Sequence, residues 1–423
     1  MVRVKTITSL VLFTVCVLVI GCSLSKKTPL IYSTQKEIMQ PILYLDQEGE
    51  RLFVRGVYPD GKRLTLPTLW GESNMNIITP TWSPDGTWFV YVYVKEDINN
   101  ENTEIRLGNL KGETKTIFTS ARETSLSQPI WSPDGKKLAS IMVELPTFAL
   151  SLVVIDVIEQ KILSTYNIRT KDKDSSAPSI APMEIKSSFR WSPDGKKILL
   201  PANILDIKES PLMIIDTIKG VIEELADKPL VSEWSMNSDA IYYFDVVDLP
   251  ASKEEGYDVE RHWTFGDFYV KKMDNPQPVK LLDKEQIETL GLSTFQAVYG
   301  VMTLSPKGTK LAIRGGSDYT EDIEKQYSVI YIYDLTSDQT VAFDKPVKRF
   351  RINEFISALD WGPDENSLAA VVFETEGFSI KLLDLNTGEW KTLAKVAEGV
   401  TGEAGEVILW RYATDTKVMT WTH

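Results

Sequence analysis

Trp82-Ser-Pro-Asp-Gly86, Trp131-Ser-Pro-Asp-Gly135 and Trp191-Ser-Pro-Asp-Gly195 are one pentapeptide at three places. Weaker copies stand at Trp234-Ser-Met-Asn-Ser238, Leu304-Ser-Pro-Lys-Gly308 and Trp361-Gly-Pro-Asp-Glu365, and Trp410 opens a degenerate seventh. Pro at the second position of a turn presets φ, Asp bonds nearby amides, and Gly accepts positive φ. An apolar run follows each copy, such as Lys137–Val143 or Ser367–Phe373. The motif is therefore a tight hairpin between two strands. On this reading Asp85, Asp134, Asp194 and Asp364 are turn formers rather than catalytic acids, and Gly86, Gly135 and Gly195 take the positive φ. Trp82, Trp131, Trp191 and Trp361 carry large apolar bodies suited to wedge between neighbouring sheets.

A second pattern completes each unit. A β-branched run ends in Asp, as in Leu152–Asp156, Leu212–Asp216, Val329–Asp334 and Ile380–Asp384, and a turn and a short strand follow. One repeat thus holds four strands, A to D, and units of this length stack radially as propeller blades. The expected fold is all-β, a seven-bladed propeller of four-stranded antiparallel blades; six or eight blades are the alternatives. Arg51–Val57, the turn Tyr58-Pro-Asp-Gly61 and Arg63–Pro67 read as strands C and D without a Trp hairpin before them. Glu406–Trp410 and Lys417–Trp421 read as A and B with nothing after them. Joined, strands from both termini would close the ring and remove two free edges. Ile42–Asp46 is strand-like and unassigned, fit either to replace the C-terminal B strand or to extend a blade.

These repeats resemble the WD40-like PD40 repeats of TolB-like β-propellers, which also occur in the propellers of prolyl-oligopeptidase-type peptidases. The resemblance spans about Ile42 to His423 and implies fold rather than function. Two parts of those families are missing. The N-terminal α/β domain of TolB has no counterpart, and there is no Gly-x-Ser-x-Gly elbow for a hydrolase domain.

Residues 1–21 read as an export signal. Arg3 and Lys5 precede an apolar run, Leu10–Ile20, that is shorter than the roughly 20 residues of a membrane span. Val19-Ile20-Gly21-Cys22 resembles the lipobox of bacterial lipoproteins, which implies lipidation of Cys22 and cleavage after Gly21. An ordinary secretory signal or an uncleaved anchor is the plainer alternative. Cys16 would leave with the signal, so the mature chain could form no internal disulfide. Residues 22–40 then form a tether and 41–423 the propeller. The expected location is the outer face of the cytoplasmic membrane or the outer membrane, held there by lipid.

Composition narrows the function. Two His and two Cys argue against imidazole-ligated metal enzymes and Cys–His catalysis, and a formal charge of −13 argues against nucleic-acid binding. No metal or cofactor is expected; a divalent cation held by loop carboxylates is the alternative. In such a ring the A–B and C–D turns lie on one face and the longer B–C and D–A connections on the other. Function is expected on the long loops. They carry acidic groups at Glu96, Asp97, Glu101 and Glu104, and at Asp318, Glu321, Asp322 and Glu324. Either they meet a cationic partner or they are a solvated acidic surface. The insertion Asp248–Phe268 contains Arg261, His262 and Trp263, which either hold an anionic or peptide group or only pin the loop. Trp88, Tyr91 and Tyr93, read as one face of a B strand, either stack on sugar or pack between blades. The leading expectation is a monomeric, non-catalytic binder of an envelope protein or peptide. The alternatives are a glycan lyase or glycosidase using channel carboxylates and a small-ligand or sugar sensor.

Overall fold

The computed structural model describes residues 41–48, 51–64, 81–95, 102–109, 111–144, 147, 149–169, 189–200, 212–225, 231–248, 263–275, 277–292, 302–317, 325–335, 345–374 and 377–396. The chain divides into two compact units, Met1–Met39 and Gln40–His423, and all described residues lie in the second.

Blade 1 is β4 (Thr81–Trp82), β5 (Phe89–Lys95), β6 (Asn102–Gly108) and β7 (Thr114–Thr119), after β1 (Ile42–Glu48), β2 (Arg51–Val57) and β3 (Arg63–Leu64). Blade 2 has a first strand in two pieces, β8 (Thr124–Leu126) and β9 (Ile130–Trp131), then β10 (Lys137–Glu144), β11 (Ala149–Asp156) and β12 (Lys161–Arg169). Blade 3 is β13 (Arg190–Trp191), β14 (Lys197–Leu200), β15 (Leu212–Asp216) and β16 (Val221–Leu225). Blade 4 is β17 (Val231–Trp234), β18 (Ala240–Asp248), β19 (Trp263–Lys272) and β20 (Val279–Leu282), followed by the short helix α1 (Lys284–Thr289). Blade 5 is β21 (Met302–Leu304), β22 (Lys310–Gly316), β23 (Ser328–Asp334) and β24 (Lys348–Ile352). Blade 6 is β25 (Phe355–Trp361), β26 (Ser367–Glu374), β27 (Gly377–Asp384) and β28 (Trp390–Val396).

The expected all-β propeller is present, but its blade count is corrected. Six four-stranded antiparallel blades form, not seven. β1 pairs β2 along its whole length, from Ile42 opposite Val57 to Glu48 opposite Arg51, and β2 pairs β3. That fills the edge of β2 which the composite blade reserved for a C-terminal strand. The physical reason lies in chain order: a hairpin across residues 49–50 costs far less closure entropy than pairing partners at opposite ends of the chain. The C-terminal strands expected over 406–421, with Trp410, lie outside the described residues. The three-stranded sheet touches the blades on both sides. The Trp82 indole donates to the Pro41 carbonyl at 3.3 Å, and Lys391 Nζ donates to Pro59 O at 3.1 Å.

The repeated pentapeptide folds as its chemistry dictates. Gly86 N–H bonds Ser83 O at 2.8 Å, and Gly135 and Gly195 close on Ser132 and Ser192 in the same way. Each serine hydroxyl donates to the turn Asp at 2.6 Å, Asp85, Asp134 and Asp194 in turn. Partial burial opposes ionisation of these three carboxyls, but the hydroxyl and amide bonds outweigh it and hold each below the usual Asp range. The Gly position has φ between 65° and 68° in those copies, and Ser238 and Glu365 keep positive φ where Gly is absent.

First strands touch one another around the ring, β4 with β9, β9 with β13, β17 with β21 and β21 with β25, so they line the centre. Fourth strands such as β16 and β24 alternate towards solvent, which places them outside. Apolar residues of adjacent blades fill the space between sheets. Trp191, Ile198, Met213 and Ile215 of blade 3 pack with Ile141, Leu152, Val154 and Tyr166 of blade 2.

The tryptophans do more than wedge. Trp131 Nε1 donates to Thr81 O (3.1 Å), Trp234 Nε1 to Arg190 O (3.3 Å) and Trp361 Nε1 to Thr303 O (3.0 Å). In each case the acceptor is the residue just before the motif of the preceding blade. Trp191 breaks the series: its buried Nε1 finds no acceptor among the described residues.

Candidate functional site

Antiparallel blades put A–B and C–D turns on one rim and B–C and D–A connections on the other. The second rim carries the long segments, and its best-defined part lies at blades 4 to 6. There β22 ends at Gly316 and β23 begins at Ser328, and the chain between them includes Asp318, Glu321 and Asp322, which lie outside the described residues. Ser317 N–H donates to Tyr327 O at 3.0 Å, and Tyr327 N–H donates to Ser317 Oγ at 2.9 Å. The connection from blade 4 locks onto this base: Gly316 N–H donates to Gly291 O at 3.1 Å. Gly316 has φ +135°, and a Cβ there would collide with the Tyr327 carbonyl; one on Gly315 would collide with the Leu290 carbonyl. Only glycines permit this approach of two backbones. α1 sets up the approach through a capping box, with Gln286 N–H donating to Asp283 Oδ1 at 2.9 Å and Asp283 N–H donating to Gln286 Oε1 at 2.9 Å.

Cations cluster beside this base, each engaged by its neighbours. Arg314 is fully buried, donates to Ile356 O at 2.6 Å and lies 4.9 Å from the Phe355 ring centre. Arg351 lies 4.3 Å from the Tyr327 ring centre. Lys381, in β27, reaches Glu354 at 2.8 Å and Glu374 at 3.0 Å, tying the blade 5–6 connection to the end of β26. Burial alone would lower the Lys381 pKa, but the bonds to the two carboxylates outweigh it and raise it. Burial alone would raise Glu374, but the Ser379 hydroxyl and the ammonium hold it below the usual range.

The residues just before each motif lie on the first strands, which line the centre of the ring. Across blades 3 and 4 this brings Arg190 Nε within 3.1 Å of Glu233 Oε1. Asp360, at the same position in blade 6, is buried, and its Oδ1 accepts from Trp361 N–H at 3.0 Å. Among the described residues, no group of three or more His, Cys, Asp or Glu is placed to hold a metal ion.

The expected site residues divide sharply. Glu96, Asp97, Arg261, His262, Asp318, Glu321, Asp322 and Cys22 lie outside the described residues. The backbone of Trp263 opens β19, opposite Asp248. Glu104 is described and pairs with Arg106 at 2.8 Å, whose guanidinium lies 3.7 Å from the Tyr93 ring centre. The aromatic face read on strand B is corrected. Tyr91 shares its side with Phe89, whereas Trp88 packs with Val90 on the opposite side, as an alternating strand requires. Sequence reasoning missed the Lys381 cluster. Its signal was a lysine inside an otherwise apolar C strand, Ile380–Asp384, where a buried charge needs partners.

Comparison with known proteins fixes only the fold. Neither a family model nor a curated protein matches this chain. Among solved structures it is similar to a functionally unknown protein from Desulfotomaculum acetoxidans, with 12% identity over 85% of this chain and 96% of the other and a TM-score of 0.50. It is also similar to the β-propeller domain of the trilobed protease of Pyrococcus furiosus, at 18% identity over 76% of this chain and 85% of the other, with a TM-score of 0.45. TolB of Acinetobacter baumannii matches at 15% identity over 70% of this chain, with a TM-score of 0.39; the match spans 61% of the TolB chain.

Proposed function

We propose that this protein is an exported, lipid-anchored β-propeller that binds an envelope protein or peptide through its long-loop rim, without chemistry of its own. One observation carries the reading. The residues that flank the acidic stretch 318–324 are clamped, by Ser317 with Tyr327 and by the Gly291–Gly316 backbone bond, so the stretch is attached to a fixed base. Binding loops of rigid scaffolds are built this way. The loop's carboxylates favour a partner with a cationic surface. The anchor rests on Gly21-Cys22 after the apolar run.

Envelope extracts passed over the purified chain test the reading. Replacing 318–324 with a Gly/Ser segment of equal length is expected to abolish capture while leaving the melting temperature of the ring unchanged. Capture that survives replacement of every long loop on this rim overturns the assignment. So does turnover of glycans or peptides that disappears when channel carboxylates such as Glu233 or Asp360 are neutralised. The anchor is tested separately: Cys22→Ser is expected to stop incorporation of a labelled fatty acid.

A further inference from the structure

The outer wall of the ring carries a charged strip that neither rim uses. β24 is the fourth and outermost strand of blade 5, and among the described residues it pairs only with β23. Its other edge keeps main-chain donors and acceptors for an incoming strand. From Lys345 to Asn353 the chain holds four cations, Lys345, Lys348, Arg349 and Arg351, and no acidic residue, on a protein with a formal charge of −13. The flanking acids are Asp344, outside the described residues, and Glu354, held by Lys381 at 2.8 Å.

Alternation sorts these side chains onto two faces. Phe350 and Ile352 pack with blade 6, and Lys348 Nζ donates to Leu385 O of that blade at 2.6 Å. Arg349 and Arg351 take the opposite face, both exposed, about 7 Å apart by the rise of a strand. Each guanidinium lies over a tyrosine of its own blade, Arg349 5.6 Å from the Tyr331 ring centre and Arg351 4.3 Å from that of Tyr327. The rings restrict the two arginines without neutralising them and leave N–H groups for an acceptor. α1 packs into the same apolar cluster as Tyr331 and brings Glu285 and Glu288 to this side, where Glu288 pairs with Lys284 at 3.8 Å. Among the described residues no carboxylate forms an ion pair with Arg349 or Arg351. Charge of either sign on an edge strand deters sheet association, and β16 meets that need with Glu223 and Glu224. No other outer strand holds a pair of arginines.

We propose that the outer edge of β24 takes an acidic peptide segment of a partner protein as an added strand, with carboxylates at alternate positions on Arg349 and Arg351. Residues directly opposite in paired strands share a face, so acidic side chains two apart meet both guanidiniums while the backbones bond. A phosphate polymer would use the charge and leave the edge idle. The surface lies on the outer wall, so the inference does not depend on what the long loops bind.

Fluorescence anisotropy of the full-length chain at low salt tests it, with a labelled peptide in which Glu and Thr alternate. This peptide is expected to bind, and its Gln–Thr counterpart to bind at least tenfold more weakly, with affinity falling as salt rises. Arg349→Gln and Arg351→Gln should each weaken binding about fivefold, and Arg351→Lys, which keeps the charge without the planar fork, about threefold. Methylating one of the two alternate sets of peptide backbone nitrogens should weaken binding at least tenfold, and methylating the other set should change it little. Both arginines are exposed, so unchanged melting temperatures will show that the fold is intact. Failure of the Glu–Thr peptide to bind overturns the proposal. Binding that ignores the arginine substitutions or both methylations overturns it equally, as does inorganic polyphosphate binding as tightly as the peptide. Self-association of the chain that Arg349→Gln abolishes, in place of peptide capture, also overturns it.

Discussion

Trp361→Phe, set beside Trp191→Phe, isolates the contact that links one blade to the next. Trp361 is completely buried and its Nε1 donates to Thr303 O at 3.0 Å, whereas the buried Nε1 of Trp191 has no acceptor among the described residues. Both substitutions remove the same apolar atoms and leave a cavity, at a cost of about 1 kcal/mol. At Trp361 the hydrogen bond is lost as well, a net cost of about 1 kcal/mol, and the Thr303 carbonyl is left short of a donor. At Trp191 an unpaired buried donor disappears, which offsets part of the packing loss. Trp361→Phe should therefore cost about 2 kcal/mol and Trp191→Phe about 1 kcal/mol or less. Urea unfolding followed by far-ultraviolet circular dichroism avoids the change in fluorescence. With a urea slope of about 3 kcal/mol/M, the two variants should differ by roughly 0.3 M in midpoint at equal slope. If Trp191→Phe costs as much as Trp361→Phe, the indole bonds contribute nothing to blade coupling and the tryptophans act only as wedges.

Gly316→Ala should destabilise by at least ~2 kcal/mol, because its Cβ collides with the Tyr327 carbonyl at a φ of +135°; chemical denaturation measures it, and a neutral result would show that the loop base is soft. Glu365→Gly restores the motif's glycine, yet it should still cost about 1 kcal/mol. Relief of the positive φ is outweighed by losing the bonds from Lys307 N–H at 2.6 Å and the Thr309 hydroxyl at 3.2 Å. Glu374 has a lowered folded pKa, so its contribution is present above the unfolded value of about 4.3 and lost as pH falls through the folded one. Lys381 has a raised folded pKa, so its contribution is present below about 10.4 and lost as pH rises through the raised value. Lys381→Met should flatten both limbs of the stability–pH curve and cost about 1–3 kcal/mol at pH 7.

The hairpins were legible because three identical pentapeptides encode one turn in purely local terms: Ser hydroxyl to Asp, glycine at positive φ. The β-branched runs ending in Asp were legible for the same reason, and Asp156, Asp216 and Asp384 do cap the C–D turns. Closure was not legible. Nothing local in Ile42–Glu48 states that it pairs with Arg51–Val57 rather than leaving that edge to a distant strand. Register between blades was equally hidden, since Trp131 shows its apolar body in the sequence but not the carbonyl of Thr81 that its indole finds. α1 was missed because six residues between long insertions give too little periodicity. The clamp at Gly291 and Gly316 depends on two backbones 25 residues apart meeting, and only consecutive glycines at 315 and 316 hinted at it.

The indole bonds between blades have a direction. Four motif tryptophans reach back to a carbonyl that precedes them in the chain: Trp82 to Pro41, Trp131 to Thr81, Trp234 to Arg190, Trp361 to Thr303. A chain emerging from the ribosome or an export channel therefore always presents an acceptor before its donor arrives. Blades 1, 2, 4 and 6 can each be fastened in this way onto what precedes them, without waiting for sequence still to come. Contacts between the last blade and the first sheet run the other way round the ring. Lys391 must find Pro59 O, made more than 300 residues earlier, so it forms only after the sixth blade exists. Vectorial emergence thus builds an open arc blade by blade, and late contacts, the Lys391 ammonium with Pro59 O and β28 with β1, draw its last blade against its first sheet.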